Sequence, residues 1–153
     1  MILLDTSGLL AAMFKDQNQH EACARALREA EPPRVMSPFV LAEVARVISH
    51  YSRTEALVAL LEQIHARVYE VAHFTADDCL QARSLIASHS SLSLPSASIV
   101  VLANRFATRD VLTLNEQRFR VVRPSQGRFR LLPADAPSPS GRRKTAATKS
   151  LRP

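Results

Sequence analysis

Glycine is scarce in this chain: three residues in 153, Gly8, Gly127 and Gly141, stand far apart. A glycine-rich loop that cradles phosphate is thereby excluded. Tryptophan is absent and aromatic side chains make up 5%, too few for a platform that stacks single-stranded bases. The only cysteines, Cys23 and Cys79, form no CxxC pairing. Both read as small buried hydrophobes in a reducing, cytoplasmic setting. The histidines, His20, His50, His65, His73 and His89, form no ligand-spaced pair, which argues against zinc. No apolar run approaches the roughly 18 residues of a membrane span, so no membrane partner is expected. The N-terminal Met1-Ile2-Leu3-Leu4 is cut short by Asp5 and has no basic region, unlike a signal peptide.

What is present fits one soluble domain: 46% hydrophobic and 22% charged residues, with a net charge of +6. That charge is unevenly spread. Residues 1–104 hold eight basic and eleven acidic side chains, whereas residues 105–130 hold seven arginines against Asp110 and Glu116. Residues 134–153 add five basic side chains against Asp135. This last segment is Pro- and Ser-rich with no hydrophobic period and reads as a disordered tail, leaving a folded domain over residues 1–133.

Short apolar runs alternate with helical patterns. Strands are expected at Ile2–Leu4, Val35–Met36, Val68–Val71, Asp110–Leu114 and Phe129–Leu132. Helices are expected from Thr6 or Ser7 to Phe14, and over Gln19–Ala30, Pro38–Ile48, Thr54–Ala66, Thr75–Ser88 and Leu94–Phe106. Strands separated by helices need crossover connections, which implies an α/β three-layer sandwich with a mainly parallel central sheet. In such sheets the site lies beyond the carboxyl ends of the central strands.

Asp5 follows the first strand directly; its local alternative is to cap the helix that follows. Glu43 lies on the face of Phe39 and Val47, flanked by Val40, Val44 and Ile48, so it sits in an apolar stripe. A carboxylate there needs a cation, a metal or a hydrogen-bond donor, or else an arginine from another helix. Ser96 opens a helix and reads locally as an N-cap. Asn115 is the first polar residue after a strand and reads locally as a turn residue. An Asp after a first strand also begins a class of phosphoryl-transfer hydrolases with a second Asp two residues on, but that place is Ser7.

Taken together, Leu4-Asp5-Thr6-Ser7, Ser37-Pro38-Phe39-Val40-Leu41-Ala42-Glu43, Leu94-Pro95-Ser96-Ala97-Ser98-Ile99 and Val111-Leu112-Thr113-Leu114-Asn115 resemble the PIN domain. More closely, they resemble the VapC toxins of bacterial VapBC toxin–antitoxin pairs. Arg118 to Pro124 and Phe129 to Pro133 are similar to that family's C-terminal segment. The resemblance implies a metal-dependent endoribonuclease, in which four acids hold Mg²⁺ or Mn²⁺ and the metal activates water against an RNA phosphodiester. It also implies a VapB-like antitoxin, a homodimer and RNA as partners.

Two of the four acids are replaced. Asp5 and Glu43 match and are the expected metal ligands, while Ser96 and Asn115 stand where the family has Asp. Glu116, beside Asn115, is a candidate substitute. The expected consequence is weakened metal binding and weakened cleavage, since Mg²⁺ is held largely by charge. The alternative is an inactive PIN domain that binds RNA or antitoxin without cutting. Arg105, Arg109, Arg118, Arg120 and Arg123 fit phosphate contacts; a solvated basic face, or pairing with acids of residues 1–104, is the plainer reading.

Overall fold

The computed structural model describes residues 1–137. Five short strands, β1 (Ile2–Leu4), β2 (Arg34–Met36), β3 (Glu70–Val71), β4 (Asp110–Leu112) and β5 (Arg130–Leu132), form one sheet in the order β3-β2-β1-β4-β5. Every neighbouring pair is parallel. The connections run through α1 (Thr6–Met13), α2 (His20–Glu29), α3 (Pro38–His50), α4 (Thr54–His65), α5 (Ala76–Ser88), α6 (Leu94–Arg105) and α7 (Glu116–Arg120). All three side chains of β1 are buried, as expected of a central strand covered on both faces. Helix α2 packs against β4 and α6 against β1. The expected α/β fold with a parallel sheet flanked by helices is what forms.

Helix starts follow local chemistry. Ser37 caps α3, its Oγ accepting from the Val40 N–H at 3.1 Å. Thr75 and Asp78 form a reciprocal capping box at α5. Ser93, not Ser96, occupies the N-cap of α6. Two serines three apart compete for that role, and the one before Leu94-Pro95 takes it, leaving Ser96 inside the first turn.

Cys79 is exposed, against the expectation that both cysteines are buried; Cys23 is buried. Leu80 beside it is also exposed. The inward face of α5 is instead Asp78 and Ala82, because Arg105 bonds Asp78 Oδ2 at 2.5 Å and the His73 carbonyl at 2.7 Å. That ion pair sets the rotation of α5. Helix α7 is too short for a periodic pattern and was not expected. Residues 133–136 form a turn, closed by the Ala136 N–H on the Pro133 carbonyl at 3.0 Å, in which Asp135 accepts from the Leu131 N–H at 2.8 Å. The rest of the expected tail, 138–153, lies outside the described residues.

Candidate active site

The chain passes from β1 to β2 on one side, and β4 lies on the other, so β1 and β4 bound the point where strand order reverses. Parallel sheets form a crevice at such a point, beyond the carboxyl ends. Asp5 and Thr113 are the first residues past those two strands. Helix α1 begins hard against β4: a Cβ on Gly8 would lie 2.5 Å from the Leu112 carbonyl oxygen. Only glycine permits that approach.

Asp5 is buried. It occupies the N-cap position of α1, yet its side chain makes no capping bond, so capping does not account for it. Its Oδ2 instead accepts from Ser7 Oγ at 2.6 Å and from Thr113 Oγ1 at 2.7 Å. Each hydroxyl in turn accepts a backbone N–H, Leu114 to Ser7 at 3.0 Å and Asn115 to Thr113 at 2.9 Å. Those amides orient both hydroxyl protons toward the carboxylate.

Glu43 is half-buried at the edge of the stripe formed by the buried Val40, Val44 and Ile48. It is less deeply set than the sequence suggested. Its Oε2 accepts from Thr6 Oγ1 at 2.5 Å, so the expected partner is a hydroxyl donor. No buried side-chain oxygen or nitrogen lacks a partner among the described residues. Asp5 Oδ1 and Glu43 Oε1, which no protein donor reaches, are therefore open to solvent.

The other half of the crevice carries no charge. Ser96 is buried, with its Oγ 3.2 Å from Ser93 Oγ. Ser98 Oγ lies 2.6 Å from both Ser37 Oγ and the Pro95 carbonyl. That contact pins the start of α6 to the carboxyl end of β2, so Ser96 sits at the same end of the sheet as Asp5. Asn115 is the N-cap residue of α7 without a side-chain capping bond. Glu116 is exposed and accepts from Arg120 at 3.0 Å.

The sequence profile of the PIN domain matches residues 2–124, most of the chain. The chain belongs to the PIN domain family. It is 30% identical over 135 residues to Ribonuclease VapC26 of Mycobacterium tuberculosis, covering 86% of this chain and all of that protein. Among solved structures, VapC20 of Mycobacterium tuberculosis, a toxin that cleaves the sarcin-ricin loop, superposes with a TM-score of 0.73 at 21% identity. That match covers 84% of this chain and 99% of the other. A toxin–antitoxin complex from Klebsiella pneumoniae matches with a TM-score of 0.61 at 20% identity, over 78% and 90% of the two chains. These two likenesses concern the fold.

The crevice of this PIN domain suits a hard divalent cation in kind but not in number. Its donors are oxygens, two of them free carboxylate oxygens. Among the described residues, however, no group of three His, Cys, Asp or Glu could hold a metal. The set as it stands does not fit the ion that a ring of four acids would hold.

The arginines divide by position. Arg105 ends α6 and Arg109 precedes β4, both at the amino end of the sheet, across about 10 Å of strand from Asp5. Arg105 is taken up by Asp78, which realises the plainer reading of pairing with an acid of residues 1–104. Arg118 and Arg120 lie on α7, beside Asn115. Arg120 bonds Asp135 at 2.6 Å and Glu116 at 3.0 Å, and this guanidinium holds the Asp135 carboxyl below the usual carboxylate range. Arg123 is exposed beyond α7. Thr6, Ser7 and Thr113 were missed as site residues. Two of them directly follow Asp5 in the motif Asp-Thr-Ser, the one local signal available.

Proposed function

We propose that this PIN domain is the toxin member of a VapBC-like toxin–antitoxin pair, acting in the cytoplasm on RNA, with phosphodiester cleavage weakened by the loss of two acids. The observation that carries this reading is the Asp5–Glu43 pair in the crevice of a chain that is alike to Ribonuclease VapC26 along that protein's whole length. The Klebsiella complex supports an antitoxin as partner. Among the described residues no helix is long and apolar enough to cross a membrane. Exposed Val58 and Leu61 on α4 give a surface suited to a protein partner, whether antitoxin or a second copy in a homodimer.

Chemically, Asp5 and Glu43 each present one oxygen to the crevice while hydroxyls fix the other. Such a pair can hold and orient water, and it repels a phosphate unless a cation intervenes. A divalent cation held by Asp5 and Glu43 would supply that neutralisation and lower the pKa of nearby water. With Ser96 and Asn115 neutral, the charge available to retain the ion is halved.

The test is RNA cleavage with Mg²⁺ or Mn²⁺ by the chain as it stands and by the double variant Ser96→Asp/Asn115→Asp. Ser96 is the third residue of α6 and Ser93 its cap, a place where an acid is favourable. The double variant is expected to cut faster by roughly a hundredfold, as metal-site substitutions change activity. Equal rates would remove the proposed weakening. No cleavage by either protein would remove the nuclease reading.

A further inference from the structure

The loop after α7 gathers charge that the crevice does not use. Pro124-Ser125-Gln126-Gly127 forms a tight turn closed by the Gly127 N–H donating to the Pro124 carbonyl at 3.0 Å. Gly127 has φ +103°, a conformation that disfavours any residue with a Cβ. The turn is clamped to α6, since Asn104 Oδ1 accepts from the Ser125 N–H at 2.7 Å and from its hydroxyl at 3.0 Å. A turn this tight makes its flanking residues neighbours, and those residues are Arg123 and Arg128.

Both arginines line a cavity of about 280 Å³ whose other walls include Phe119, Arg120 and Phe129. Phe119 and Phe129 are buried and meet edge to face with centroids 5.6 Å apart, so the floor is rigid. The charge of Arg120 is offset by Asp135 and Glu116. Arg123 and Arg128 are exposed and have no ion-pair partner among the described residues. Residues 138–153 contain no Asp or Glu to supply one. Helix α7 leads from Asn115, past the carboxyl end of β4, to the near wall of this cavity at Phe119 and Arg120, and Arg123 and Arg128 lie beyond it toward the amino end of the sheet, about 10 Å of strand away. A few nucleotides of a single strand cover that span.

We propose that the cavity between α7 and β5 is a phosphate-binding exosite, in which Arg123 and Arg128 grip the backbone of an RNA strand that runs on from the crevice. This rests on the RNA reading above and assigns it a place. Arg128 joins the binding residues. Arg109 lies at the same amino end of the sheet, since the Arg130 N–H, two residues after Arg128, bonds the Arg109 carbonyl at 2.9 Å; Arg105 is taken up by Asp78.

The test uses the full chain and a short fluorescent single-stranded RNA of mixed sequence, with EDTA present so that nothing is cut. Affinity is measured across a salt series for the wild type, for Arg123→Glu/Arg128→Glu, and for Arg25→Glu/Arg28→Glu. The last pair makes the same charge change on the exposed face of α2. Loss of two phosphate contacts lowers the salt slope by about 1.4 and weakens binding about tenfold or more, while the α2 variant stays near wild type. Equal loss in both variants, or no change in the exosite variant, overturns the exosite while RNA binding itself stands. Failure of the wild type to bind this RNA at any salt overturns the RNA reading, and the exosite with it.

Discussion

The two halves of the crevice differ in charge. On one side Asp5 and Glu43 are each fixed by hydroxyls through one oxygen and leave the other open. On the other side Ser96 and Ser98 bond within a serine cluster that satisfies itself. The second half keeps its helix start, its cap and its position at the end of the sheet. It holds nothing that demands a cation. On the proposed reading, Ser96 and Asn115 change the electrostatics and leave the architecture in place, which is why introducing two carboxylates is a fair experiment.

The largest effect separating scaffold from charge should come from Gly8→Ala. The added Cβ meets backbone atoms of Leu112 and Thr113, at 2.5 to 2.8 Å, which no side-chain movement relieves. A loss of about 3 kcal/mol is expected, read as a lower urea midpoint with an unchanged slope. An unshifted midpoint would mean that α1 can slide away from β4, and the crevice is then less rigid than described.

A smaller effect compares the halves directly. Thr113→Val removes a donor to the buried Asp5 carboxylate and strands the Asn115 N–H, with an expected cost of about 1.5–3 kcal/mol. Ser98→Ala removes only neutral hydroxyl contacts, with an expected cost of about 1 kcal/mol. Equal losses in chemical denaturation would break the contrast between a charged, ordered half and a neutral one.

These pairs also show how far the sequence could be read. Features carried by neighbouring residues were legible: the apolar Ile2-Leu3-Leu4 ending at Asp5, the Ser37-Pro38 start of α3, the Thr75 cap, and the parallel sheet implied by alternation. Interactions between distant segments were not. Ser7 and Thr113 meet across 106 residues, and no local pattern announces that a threonine at the end of β4 will serve an aspartate at the end of β1. Cys79 failed for a related reason, because the rotation of α5 is set by Arg105, which lies on another helix. The choice between Ser93 and Ser96 was local but degenerate, as both precede helix-compatible residues.

The smallest effect bears on whether the neutral half borrows charge. Glu116 follows Asn115 and was a candidate to replace the missing acid, but its carboxylate lies with Arg120. Arg120 relies more on Asp135, which takes both of its terminal nitrogens at 2.9 and 2.6 Å. Glu116 is thus the lesser of two partners on an exposed helix, and such an i,i+4 pair is worth about 0.3–0.5 kcal/mol. Glu116→Gln should lower stability by no more than that and leave a Mn²⁺ titration of the chain unchanged. Weaker Mn²⁺ binding in this variant would show that Glu116 leaves Arg120 to join Asp5 and Glu43. The crevice would then hold three carboxylates in solution, and its neutral half would be neutral only until a metal arrives.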